Sequence, residues 1–337
     1  MISVPNYDSN ATLIGYIAAR TVGSYNPADS FSIYLDQATG GQENNWEAYW
    51  HERTHLQLYT STAFGHVQQI FCSLCQEYRK HGMPDAALAM FDKYASLLYQ
   101  SSWEVQEGAA TITPYLYKNP FSLVLIRPGF YSHLPQRYAD AATFLSSAVG
   151  ALLSPSLAQF GYVAVNAVAQ FCLNTEILRF STEFLLSFES QSQGNSFAIF
   201  DHLADGKNHP QNRLNKLISA LYDDESNSIP HAIQISFAER LMKLDFVNVG
   251  DNGEIIINGK TQEKELLIQD ILNLCIMDAL QNILPEYVVY KRVIEMEEDV
   301  SAFFSSIESS GFGGVSHNNI SRNLKKRAEF KPVVKSL

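Results

Sequence analysis

The sequence predicts a mainly α protein of the α+β class, with a pair of long helices, a small N-terminal β region and a larger helical C-terminal region. Three observations predict it. Apolar residues recur at helical spacing from about 46 to 81 and again from 85 to about 113. Between Asp140 and Glu176 no residue is charged, and Pro155 splits that run into two lengths that suit buried helices. Strand patterns are confined to the first 40 residues and one later hairpin.

The elements follow in order. In residues 1–40, "TLIGYIAAR" and "SFSIYLDQ" are the strand candidates. In the second, Phe31, Ile33 and Leu35 alternate with Ser32 and Tyr34, the period of a half-buried strand. "TGGQENN" is a loop, with Asn44 or Asn45 placed to cap a helix. One long helix then runs to His81-Gly82. Pro84-Asp85 opens a second, which is expected to end before Pro114. Prolines 120, 128 and 135 mark a loop, the two uncharged helices come next, and "NTEILRFSTEFLLSF" continues them. Further helical patterns cover about 210–223, 229–244, 262–283 and 289–308. Asp251-Asn252-Gly253 turns a hairpin near 245–258. These elements divide the chain into a core at 1–118, a helical region at 119–310 and a flexible basic tail at 311–337.

Charge and cysteine content narrow the partners. The formal net charge is −11, and the tail is basic, so the body is more acidic than the whole. An acidic body argues against nucleic acid. Gln159, Asn166 and Gln170 interrupt the second uncharged length, which argues against a membrane span. The N-terminus lacks the basic and apolar regions of a secretory signal. Cys72 and Cys75 stand at C-x-x-C spacing without a second pair, and read as packed thiols in a helix. A cytoplasmic setting is expected.

The chemistry concentrates in "YWHERTHLQLYTS", residues 49–61. His51 and His55 are four apart and share a helix face, so two neutral imidazoles can hold one zinc ion. Glu52, beside the first, can reach a water on that metal and act as general base and then acid. A catalytic zinc needs a third protein ligand. Downstream stands Trp103-Glu104-Val105-Gln106-Glu107-Gly108-Ala109-Ala110.

HExxH followed by a second helix with W-x-x-x-E-G-x-A resembles the gluzincin metallopeptidases of the zincin type. The resemblance implies a zincin-like helix pair, one zinc per chain, and Glu107 as third ligand. It also implies that Gly108 and Ala109 are small so that the two metal-binding helices can approach. Two departures stand: about fifty residues separate His55 from Glu107, and Gln106 replaces the usual asparagine. The spacing is still geometrically sensible. Counted from a turn near 82–84, His55 lies about 28 residues back and Glu107 about 24 forward, at similar heights for 1.5 Å per residue. Glu104, one turn before Glu107, is the other ligand candidate.

His209-Pro210-Gln211-Asn212-Arg213 resembles the H-P-x-x-x-R segment of several HExxH peptidases, with the arginine one residue early. The resemblance implies that His209 approaches the developing oxyanion. Tyr115 and Tyr117 are alternative oxyanion donors. His66 shares the metal face about three turns away and is expected to pack. The expected activity is zinc-dependent hydrolysis of a peptide or protein. Two alternatives remain: a carboxylate-bridged dimetal oxidase, for which no second Glu-x-x-His unit exists, and an interaction module with a degenerate HExxH.

Overall fold

A computed structural model describes residues 46–81, 85–119, 130–189, 203, 206–223, 228–243, 264–287, 289–290 and 293–309, with short extended stretches at 13–17, 20–25, 32–35, 248–249, 255–257, 260–262 and 333–336. The protein is mainly helical. The helices are α1 (Trp46–Ser61), α2 (Ala63–His81), α3 (Asp85–Lys118), α4 (Gln136–Leu152), α5 (Gly161–Leu173), α6 (Ile177–Glu189), α7 (Pro210–Tyr222), α8 (Ser228–Met242), α9 (Lys264–Ile283) and α10 (Glu297–Ser309). A 3-10 turn, Pro155–Phe160, links α4 to α5.

α3 is the spine. Its 34 residues pack against α1, α2, α4, α5 and α7. α5 lies at the centre, because a helix apolar on every side must be covered on every side. Val165, Val168, Phe171 and Cys172 are all buried. One continuous apolar core runs from Leu58 to Phe303, so the regions before and after residue 118 share it. Cys72, Cys75, Cys172 and Cys275 are buried and form no disulfide, the last three within that core. One stretch, Pro155–Glu183, is long and apolar enough to cross a membrane by length and composition, and 67% of its window is buried inside the protein.

The described apolar core is built from helices and the turns between them, and the expected small N-terminal β region is not supported as part of it. The turn Asp251-Asn252-Gly253 and residues 311–332 of the basic tail lie outside the described residues.

Four further expectations need correction. The helix from 46 to 81 is two helices, broken at Thr62. Its hydroxyl accepts the Gly65 N–H at 3.1 Å and caps α2. Asn174, which follows α5, accepts the Ala63 N–H at 2.8 Å and donates to the Tyr290 carbonyl at 2.9 Å. This one amide joins α2, α5 and the segment before α10. Helix α3 does not end before Pro114 but runs through it to Lys118. The proline forfeits one helical bond. Burial of Thr113 and Leu116 on either side holds the helix, and Asn119 N–H closes its end on the Tyr115 carbonyl at 2.9 Å. The last helical pattern starts late: a 3-10 turn, Val293–Met296, precedes α10, and residues 289–290 are non-helical. Finally, Gly108 is small for a different neighbour. A Cβ there would lie 2.7 Å from the Ala141 carbonyl oxygen, so the glycine admits α4 rather than α1.

The break at Thr62 also demands a glycine. A Cβ on Gly65 would lie 2.4 Å from the Tyr59 Cα and 2.6 Å from two carbonyl oxygens of α1. Gly65→Ala is expected to lower stability by about 3 kcal/mol, the upper end for overpacking against backbone that cannot give way. Urea titration followed by circular dichroism measures it.

Candidate metal centre

α1 places His51 and His55 on one face, and α3 runs antiparallel beside it with Glu107 at the same height. The His51 and His55 Nε2 atoms are 3.3 Å apart. The Glu107 Oε2 lies 3.3 Å from the first and 3.5 Å from the second. Among the described residues this is the cluster of histidine, cysteine and carboxylate groups that could hold a metal ion. Glu104 is half-buried and outside it.

The surroundings are dry. His51, Glu52, His55 and Glu107 are 5%, 1%, 2% and 3% exposed. Carboxylates are almost never so buried unless paired. Burial would raise the Glu107 carboxyl, but the charge of His55 and hydrogen bonds from both histidines win and hold it down at about 2. Glu107 is therefore an anion whose Oε2 faces two imidazole nitrogens. The donor set is two imidazoles and one carboxylate, the composition of a catalytic zinc site.

Glu52 differs. Burial pushes it up to about 8, with His51 lowering it and Glu107 raising it further. Its Oε2 is buried with no hydrogen-bond partner, and its carboxylate is not a member of the cluster. The His55 Nδ1 is also buried and unpartnered, so this histidine lacks the orienting acceptor that metal-bound histidines usually have.

The other expected residues take other places. His209 sits at the start of α7, half-buried, with burial lowering its pKa, and is not in the cluster. Arg213 is structural: it is 1% exposed, donates to the Lys207 and Phe171 carbonyls, and lies 5.0 Å over the Tyr287 ring. Tyr115 shares a hydrogen bond with the His133 ring at 3.1 Å. Tyr117 stacks on Trp50 with centroids 3.8 Å apart. His66 is buried on α2, with Nδ1 facing the Tyr59 carbonyl at 3.3 Å. Gln106 bonds Gln68 at 2.9 Å and Ser102 at 3.0 Å, fastening α2 to α3.

A residue not anticipated is Tyr99. Burial and the negative charge of Glu107 raise its pKa, and Trp103 beside it pulls the other way. The signal was present: 99, 103 and 107 recur every fourth residue and form one stripe of α3. Trp103 is held in turn by the Arg137 guanidinium, 3.5 Å over its ring, and by Tyr138.

No family model, curated protein or solved structure matches this chain.

Two outcomes follow from the geometry. Chelator-treated protein is expected to take up one divalent ion per chain, measured by mass spectrometry of bound metal. Glu107→Ala is expected to weaken uptake at least about 100-fold, since a ligand should matter more than the 10–100-fold of its supports. Glu104→Ala is expected to leave uptake unchanged. In the metal-free chain Glu52 binds its proton more tightly folded than unfolded. Its contribution to stability is therefore intact below about pH 4.5 and lost progressively as pH rises towards about 8. Glu52→Gln is expected to flatten that loss in denaturation midpoints measured across the range.

Proposed function

We propose that this chain is a zinc-dependent peptidase of gluzincin-like design, with one zinc ion held by His51, His55 and Glu107 and with Glu52 as general base and acid. What carries the proposal is the triangle of ligand atoms, with edges of 3.3, 3.3 and 3.5 Å. Tetrahedral bonds of about 2.0–2.1 Å place neighbouring ligands about 3.3 Å apart, whereas an octahedron of the same bond length places them about 2.9 Å apart. The edges match the tetrahedron, and three protein ligands leave its fourth corner for water.

When bound, zinc lowers the pKa of a water from about 16 towards about 7. The protein supplies the rest. Glu52 stands outside the cluster yet close enough to feel both His51 and Glu107. That is the place of a group that takes a proton from the attacking water and returns it to the leaving amine. Added positive charge next to it would draw its pKa back down, leaving the carboxylate ready to accept. Keeping an unpaired carboxyl buried is costly, and a proton-transfer role accounts for that cost. His209 remains a proposed oxyanion donor on the strength of sequence resemblance, and Tyr115 on its place downstream of Glu107. Tyr99 is a third, supported by its electrostatic proximity to Glu107. The peptide or protein nature of the substrate and a cytoplasmic setting also rest on the sequence.

One observation favours a second reading. With all four groups 5% exposed or less, the metal could simply cross-link α1 to α3, as in an interaction module. Glu52 then has no task. The dimetal alternative needs a further set of carboxylate ligands, and no second metal cluster occurs among the described residues.

Glu52→Gln separates the two. With casein and a fluorogenic peptide library as substrates, the metal-loaded wild type is expected to hydrolyse peptide bonds. The variant is expected to keep its zinc and lose at least about 100-fold in kcat. A zinc-replete wild type without hydrolysis, or a fully active Glu52→Gln, rejects the peptidase in favour of the cross-link.

A further inference from the structure

A cleft opens between α1, α3, α5 and α9, with Leu58, on the same helix face as His51 and His55, among its lining residues. Its volume is about 280 Å³, just under the range of about 300–1,000 Å³ usual for small-molecule sites. No member of the metal cluster lines it. Thr54 and Gln57 reach it from α1, Thr113 from α3, Asn166 and Gln170 from α5, and Asn273 from α9. We propose that this cleft binds a neutral sugar, an assignment independent of the peptidase proposal.

The chemistry of the walls selects the ligand. An anion is excluded because no lysine, arginine or histidine is among the described lining residues, and Asp270 would repel it. An apolar molecule would strand a row of amides and hydroxyls away from water. A metal ion finds one carboxylate there and no cluster. What the walls offer is chiefly side-chain amides, which both donate and accept, those of Gln57, Asn166, Gln170 and Asn273; the hydroxyls of Thr54 and Thr113 already donate to the Trp50 and Ala109 carbonyls and serve as acceptors. A ring carrying hydroxyls on several sides does the same at every oxygen.

The amides are already arranged for such a guest. Gln57 bonds Asn166 at 3.3 Å across the cleft, and Asn273 bonds Gln170 at 3.2 Å. Each pair uses one N–H and one carbonyl, leaving the second N–H of each amide and further acceptor capacity. The Asn273 Oδ1 is buried with no hydrogen-bond partner, an acceptor in need of a donor.

The cleft also has an aromatic wall. Tyr117 and Tyr162 both line it, stacked with centroids 5.1 Å apart and planes 28° apart. Trp50 stacks on the far side of Tyr117, so Tyr117 is held between two rings and Tyr162 is the outer ring of the stack on the cleft side. A sugar ring has polar edges and an apolar face of C–H bonds. Amides meet the edges, and the outer face of Tyr162 meets the C–H face.

Saturation-transfer NMR on the full chain, with glucose, galactose, mannose and N-acetylglucosamine each at about 10 mM, tests this at a level well above a millimolar dissociation constant. At least one sugar is expected to bind, equally with and without chelator, and to perturb tryptophan fluorescence through Trp50. Tyr162→Ala is chosen because Tyr162 carries the outer ring of the stack and is only partly buried. It is expected to weaken binding about tenfold, since it removes the ring that meets the sugar face. Asp270→Asn is expected to change affinity less than Tyr162→Ala does. The proposal is overturned if none of the four sugars binds, if Tyr162→Ala binds as tightly as wild type, or if spermidine binds in their place and loses its affinity in Asp270→Asn.

Discussion

A carboxylate buried inside a 34-residue helix sets the terms for this fold. Glu107 lies on the spine that every neighbouring layer touches, so its negative charge cannot be moved to the surface without dismantling α3. A charge in so dry a place must be matched nearby. His51 and His55 do the matching, and to do it α1 must lie alongside α3 at one height and with one face turned inward. The same requirement gives Glu52 its unusual position. It is carried into the interior by its neighbour in sequence rather than by any partner of its own.

Around this pair the remaining polar groups act as fasteners. Gln68, Ser102 and Gln106 form a closed set between α2 and α3. Arg213 ties α7 to the end of α5 through carbonyl oxygens, and burial pulls its pKa down to about 10 without removing its charge at neutral pH. Asn174 serves three segments at once. Each is a buried polar group with its hydrogen bonds made, and that is the condition under which such groups specify an arrangement instead of weakening it.

Much of this was legible in the sequence, and the parts that were not have physical causes. The candidate metal ligands were legible because a helix converts spacing into direction: a step of four from His51 to His55 leaves little choice of face. Glu107 came from the resemblance to a downstream E-G-x-A signature, and counting outward from a turn put it level with the histidines, which works because α2 and α3 are regular. The break at Thr62 was missed because Thr, Ala and Phe all tolerate a helix. The cap is visible only when Asn174, more than a hundred residues later, arrives to share it. Pro114 was read as a stop because local propensity says so, whereas burial on both sides of it overrode the loss of one bond. The strand patterns near the N-terminus describe a local preference, and what the described core rewards is helix against helix. Arg213 was read as part of a chemical motif because sequence shows its charge and not its neighbours. Tyr99 was passed over because an aromatic stripe on a helix is usually packing, and only its nearness to a charged carboxylate distinguishes it.

The split between α1 and α2 has a consequence for how such a chain can change over generations. In one continuous rod, every inserted or deleted residue between α2 and α3 would slide the histidines past Glu107. Here Ala63 is pinned to Asn174, a point outside both helices, and α1 begins afresh beyond that pin. The connection can therefore vary in length while the histidines hold their level. The reverse also applies: α1 can be retuned for another ion or another reaction without redrafting the α2–α3 hairpin that supports it.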